Sequence, residues 1–142
     1  MTVALKRVYE APSPQDGARV LVDRLWPRGL TSDGAALDAW LKDLAPSHDL
    51  RKWYHAHSQQ WSKFCERYLK ELSTAAARDA LQKLYDFERK RPRVTLLYAS
   101  KNEERNNAVV LKQLVEGHRK PPTGTGPIRA GAARRARSAR RK

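Results

Sequence analysis

The sequence predicts an α/β fold: a small, mostly parallel sheet with helices packed around it. Two apolar runs, Arg19–Leu25 and Val94–Ala99, have the length and residue types of buried strands. Between them lies a long stretch with apolar residues at three- and four-residue spacing, and parallel strands need a connection of that kind. The resulting order, two strands, a helical middle, a strand and a helix, is an α/β order.

Taken in order, Thr2–Tyr9 reads as a short strand through Val3, Leu5 and Val8. Ala11–Gly17 holds two prolines and a glycine and is a loop. Arg19–Leu25 is the second strand, stopped by Pro27. Ala36, Leu37, Trp40, Leu41 and Leu44 predict a helix ending at Ala45-Pro46. Ser47 suits the cap of a helix over His48–His55. Ser58 is the expected cap of a stronger helix bearing Trp61, Phe64, Cys65, Tyr68, Leu69 and Leu72. Another helix carries Leu81, Leu84 and Tyr85 and breaks at Arg91-Pro92. Val94–Ala99 is the third strand, and a helix from about Asn102 to Glu116 follows, with a stripe of Ala108, Val109, Leu111, Leu114 and Val115.

At 142 residues the chain has room for one domain. It carries 29 Lys+Arg against 15 Asp+Glu, a formal charge of +14. Nine of those cations lie from Arg119 onward, where no acid occurs, so residues 1–118 hold 20 cations and 15 acids. The expected division is an α/β domain over 1–118 and a disordered, Arg/Lys-rich tail over 119–142, whose composition offers too little apolar surface to offset ordering. One cysteine excludes an internal disulfide and a multi-cysteine metal site. No apolar h-region follows Met1 and no apolar run approaches about 18 residues, so no membrane span is expected and the expected compartment is cytoplasmic.

The segment RVLVDRLWPRGL, Arg19–Leu30, is the first candidate site. A strand there ends in Asp23, Arg24, Trp26 and Arg28, and α/β proteins bind ligands beyond the carboxyl ends of strands. The third strand ends in Tyr98, Ser100 and Lys101, with Asn106 a turn into the next helix. Parallel pairing of these two strands gathers Asp23, Arg24, Arg28, Tyr98, Ser100 and Lys101 at one sheet edge, with Asn106 facing the same crevice. Ser100 and Glu103 have capping-box spacing, and a helix N-terminus beside Lys101 favours an anion. Arg51 offers a further guanidinium suited to phosphate oxygens. Against this stand structural readings: Asp23 paired with Arg24, Arg28 or Lys101, Ser100 as a mere cap, Trp26 as core. Asp23 is the one carboxylate placed to act as a base, and adjacent cations are expected to lower its pKa. His55 and His57 stand two apart with no third ligand, so no metal is expected, and Cys65 reads as a buried hydrophobe. No glycine-rich phosphate loop or nucleophile elbow is present, and no cofactor is expected.

In combination, KRVYE, RVLVDRLWPRGL, LDAWLKDLAPSHDLRKW, WSKFCERYLKEL and VTLLYASKNEERNNAVVLKQL resemble the YeaO-like branch of the domain-of-unknown-function family 488, over Lys6 to Val115. The resemblance implies a small bacterial α/β domain and assigns no reaction. Relatives often carry Asn-His where this chain has Asn106-Asn107, so a histidine role there is absent. They usually end soon after the last helix, which makes the basic tail an addition. Labels of transcription regulator or methyltransferase find no helix-turn-helix or glycine-rich cofactor loop here.

The expected function is a pocket for an anionic or nucleotide-like small molecule, with or without catalysis. The alternative is a non-catalytic protein holding DNA or RNA non-specifically through residues 119–142; its binding would fall steeply with salt.

Overall fold

The computed structural model describes residues 2–119. The tail expected over 119–142 lies outside the described residues, save that Arg119 closes the last helix. Strands β1 (Thr2–Arg7), β2 (Ala18–Leu21), β3 (Ala39–Trp40) and β4 (Arg93–Tyr98) form one sheet in the order β1-β4-β2-β3. Every pairing is parallel, with Val3 beside Val94, Val20 beside Leu96 and Val20 beside Ala39. All four strands therefore point their carboxyl ends at the same edge.

The two-residue alternation of the strands divides the core. Val3, Val20, Val94, Leu96 and Tyr98 face the long helices α4 (Ala75–Lys90) and α5 (Asn107–Arg119), which supply Ala77, Leu81, Leu84, Ala108, Leu111 and Val115. Val8, Leu21 and Leu97 face the other way, under Trp26, Leu30, Leu37 and Trp40. Each fully buried Val or Leu contributes about 1.5–3 kcal/mol by leaving water. Helices α2 (His48–Ala56) and α3 (Trp61–Glu71) form a hairpin above the carboxyl edge. Its two ends are clasped: the Ser47 N–H and hydroxyl both donate to Glu71, at 2.8 and 2.5 Å.

Gly17 is a fixed point of this architecture. Its φ is +66°, and a Cβ would lie 2.1 Å from the Arg93 carbonyl oxygen. Only glycine lets the loop pass so close to β4 as it enters β2.

The structure departs from the sequence expectation in several places. Strand β2 ends at Leu21 rather than Leu25. Residues 36–44 are not one helix: a four-residue helix α1 (Ser32–Ala35) is followed by β3 and a 3-10 turn at Lys42–Leu44. The competitor is Arg19. Its buried guanidinium takes the Ala35 and Ala36 carbonyls at 2.8–3.2 Å, and its backbone pairs with Asp38. Pairing to the open edge of β2 outweighs a weak local propensity. Ser58 does not cap α3, because His57–Gln60 form a turn and Gln60 stands at the cap without a side-chain bond. Helix α5 starts at Asn107, and Asn106 caps it by accepting the Val109 N–H at 3.0 Å. The expected Ser100–Glu103 box is replaced by local turns: Ser100 accepts the Asn102 N–H, and Asn102 accepts those of Glu104 and Arg105. Such side chains compete with helical backbone bonds.

Candidate functional site

Beyond the carboxyl edge lies a cleft of about 1210 Å³. The segment after β2, helix α2 and the loop from β4 to α5 line it. Asp23, Arg24, Trp26, Arg28, Arg51, Ser100 and Asn106 all line it. Two expected members do not. Tyr98 is buried in the core under α5, with its hydroxyl bonded to Asn106. Lys101 is exposed on the loop and is not part of the lining.

Several residues that looked chemical are structural. Asp23 accepts the Ala99 N–H at 2.8 Å through Oδ2 and the Asn107 amide at 3.1 Å through Oδ1. Its own carbonyl accepts the Trp40 indole N–H at 2.7 Å. The residue thus ties β2 to β4, β3 and the start of α5. Burial pushes its carboxyl above the ordinary range, outweighing the Ala99 N–H, the Asn107 amide and Arg51, which pull it down. This reverses the expected direction. The nearest cation in sequence, Arg24, is turned away to the carbonyls of Ala45 and Pro46, at 3.2 and 3.4 Å, so desolvation prevails. Trp26 donates to the Leu30 carbonyl at 2.7 Å and packs edge-on against Trp40, so it is both wall and core. Asn106 is a buried helix cap.

The remaining cations are different. Arg28 stands in the Pro27–Leu30 turn, where Gly29 takes φ +78°, as position three of such a turn requires. Arg51 and Lys52 lie on α2, and Arg105 on the loop before α5. All four are exposed, and none joins a salt bridge or donates a side-chain hydrogen bond among the described residues. Asp23 is the only carboxylate in the lining. Tyr9, Tyr54 and Phe64 add aromatic surface to the walls. The Tyr9 hydroxyl donates to the Arg28 carbonyl at 3.0 Å and so braces that turn.

Lys52, Tyr54, Arg105 and Asn107 were missed in the sequence. Arg105 was hidden by placing the helix start too early; the two asparagines, 102 and 106, are the signal for the longer loop. Lys52 and Tyr54 follow Arg51 on α2, and only the placement of α2 over the sheet edge reveals them. His55 lines the cleft, whereas His57 stacks on Trp53 at 4.9 Å. Among the described residues no group of three or more His, Cys, Asp or Glu is placed to hold a metal ion. Cys65 is half-buried, and burial pushes its thiol up. No described helix is long and apolar enough to cross a membrane.

Residues 2–125 match the family model described as the inactive DUF488-N3 subclade. The chain is 44% identical over 115 residues to "Uncharacterized protein Rv3073c" of Mycobacterium tuberculosis (strain ATCC 25618 / H37Rv), a match spanning 81% of this chain and 94% of that protein. It is 44% identical over 111 residues to "Uncharacterized protein YeaO" of Escherichia coli (strain K12), spanning 78% of this chain and 94% of the relative. No solved structure matches it significantly. The resemblance carried by the DRLWPRG and neighbouring motifs is thereby confirmed, and the chain belongs to the DUF488 family, as a YeaO-like member of the subclade described as inactive.

Proposed function

We propose that this protein is a non-catalytic binder whose cleft takes up a phosphate-bearing anion. The observation that carries the reading is the set of four cations, Arg28, Arg51, Lys52 and Arg105, around one concavity, none of them in a salt bridge or donating a side-chain hydrogen bond among the described residues. Guanidiniums present forked donors that match phosphate oxygens, and a cleft lined by one sign of charge concentrates the opposite sign. Trp26 and Tyr54 give such a ligand apolar surface, as a nucleotide would use.

Binding without turnover is favoured by what Asp23 does. Each of its oxygens already accepts a bond from the protein, one from the Ala99 N–H and one from the Asn107 amide, which suits holding the strand ends together. It acts as a positioning residue. The family description, inactive, agrees with this reading.

Titration calorimetry with inorganic pyrophosphate tests it. Arg51→Met or Arg105→Met should weaken binding about 10-fold or more, the worth of a charge-assisted hydrogen bond. Equal affinity in wild type and both variants would refute the site. A second reading rests on the nine cations from Arg119 onward: nucleic acid held by that segment alone, through salt-sensitive contacts.

A further inference from the structure

Resting on the reading of the cleft as an anion site, we infer that its ligand is a single-stranded nucleic acid laid through it, with successive phosphates on cations from three separate segments. At about 1210 Å³ the cleft exceeds the range of roughly 300–1,000 Å³ typical of small-molecule pockets. Arg28 belongs to the turn after β2, Arg51 and Lys52 to α2, and Arg105 to the loop before α5. A single phosphoryl group is usually held by donors converging from one loop or helix start. Cations from three segments around one cleft suit a ligand whose charge repeats along its length.

Rings accompany the cations in the lining. Tyr9 is 43% exposed beside Arg28, and Tyr54 follows Arg51 by three residues on α2. Grooves for single strands combine a cationic track with aromatic faces on which bases stack without sequence preference. A duplex is read instead by an element that projects into its groove. Here the cations line a concavity, which an unpaired strand can enter. The chain beyond α5 adds eight Lys or Arg and no acid over 120–142, a charge of the same sign for the same class of ligand.

The test uses the full chain and fluorescence anisotropy with labelled oligo-dT and oligo-U of about 12 nucleotides, within the usual site size of such grooves, together with the corresponding duplex. Inorganic pyrophosphate is titrated separately. The inference expects both single strands, or one of them, to bind more tightly than the duplex; the tighter strand tells DNA from RNA. Log affinity should fall against log salt with a slope of at least about −3 in magnitude, the share that four cleft contacts on a single strand imply. The Arg51→Met/Arg105→Met protein should bind at least about 10-fold more weakly, with a slope shallower by about 1.4. A full-length variant with alanine at Arg134, Arg135, Arg137, Arg140 and Arg141 should retain that dependence on Arg51 and Arg105. If pyrophosphate binding needs Arg51 and Arg105 while oligonucleotide binding is absent, or indifferent to them, the inference is overturned and the anion site stands. If neither ligand responds to these substitutions, both fail.

Discussion

Asp23 offers a test of which force governs the cleft. Replacing it by alanine removes the acceptor of the Ala99 N–H, at 2.8 Å, and one of two acceptors of the Asn107 amide. Asn107 keeps the Val22 carbonyl at 2.8 Å, so the loss falls mainly on Ala99. Orphaning a sheltered donor costs about 1–3 kcal/mol. Removing a desolvated carboxylate returns part of that at neutral pH, which leaves a net loss of about 1–2 kcal/mol, or roughly 4–8 °C in thermal midpoint. Asp23→Asn isolates the charge. Because burial raises the folded pKa, the folded protein keeps this proton where the unfolded chain has released it. The carboxyl's contribution to stability therefore declines as pH rises from the ordinary carboxylate value through the raised one. Urea unfolding between about pH 4 and pH 7 should show wild type losing stability relative to Asp23→Asn as pH climbs. A wild type that gains on the variant over that range would refute the reasoning, since the ionised form would then be the one the fold favours.

Three other outcomes follow from the geometry. Gly17→Ala should cost about 3 kcal/mol or more in urea unfolding, because the new Cβ meets the Arg93 carbonyl at a left-handed φ; a loss under about 1 kcal/mol would contradict the close approach. Arg24→Met should lower stability by about 1–2 kcal/mol by freeing the Ala45 and Pro46 carbonyls, with little effect on pyrophosphate affinity, whereas Arg51→Met should do the reverse. Asp16 is raised by burial but lowered more by Lys6, the Ser13 N–H and Arg19, so its net shift is downward. Its stabilisation is present above the ordinary carboxylate value and disappears as pH falls through the lowered one, and acid titration of Asp16→Asn should lack that loss.

The fold was legible where one element needed no distant partner to be recognised. Val94–Ala99 is apolar throughout and bounded by Pro92, and Ser47 announces α2 one residue before it starts. Residues 36–44 misled because their apolar spacing is truly helical; what overrides it is Arg19, nineteen residues before Asp38, and a sheet edge invisible to any local window. The cleft was half legible. Strand ends in a parallel sheet must share an edge, so Asp23 and Ser100 were brought together by topology alone. The direction of a side chain was not. Strand alternation sends Tyr98 into the core, and a loop five residues longer than expected exchanges Lys101 for Arg105.

Function in this cleft divides between residues already engaged by the protein and residues left over. Asp23, Arg24 and Asn106 each look chemical in isolation, yet their polar atoms are used on backbone groups of neighbouring elements. A backbone donor or carbonyl at a sheltered strand end must be satisfied, and these side chains satisfy it. Arg28, Arg51, Lys52 and Arg105 make no salt bridge and donate no side-chain hydrogen bond within the described chain, and like charges gathered at one cleft disfavour the compact state. A bound polyanion would relieve that repulsion, so the ligand should raise the thermal midpoint most at low salt, where screening is weakest. Substitution at Arg51 or Arg105 should remove this gain while leaving the unliganded midpoint unchanged or slightly higher, and substitution at Asp23 should lower the unliganded midpoint itself.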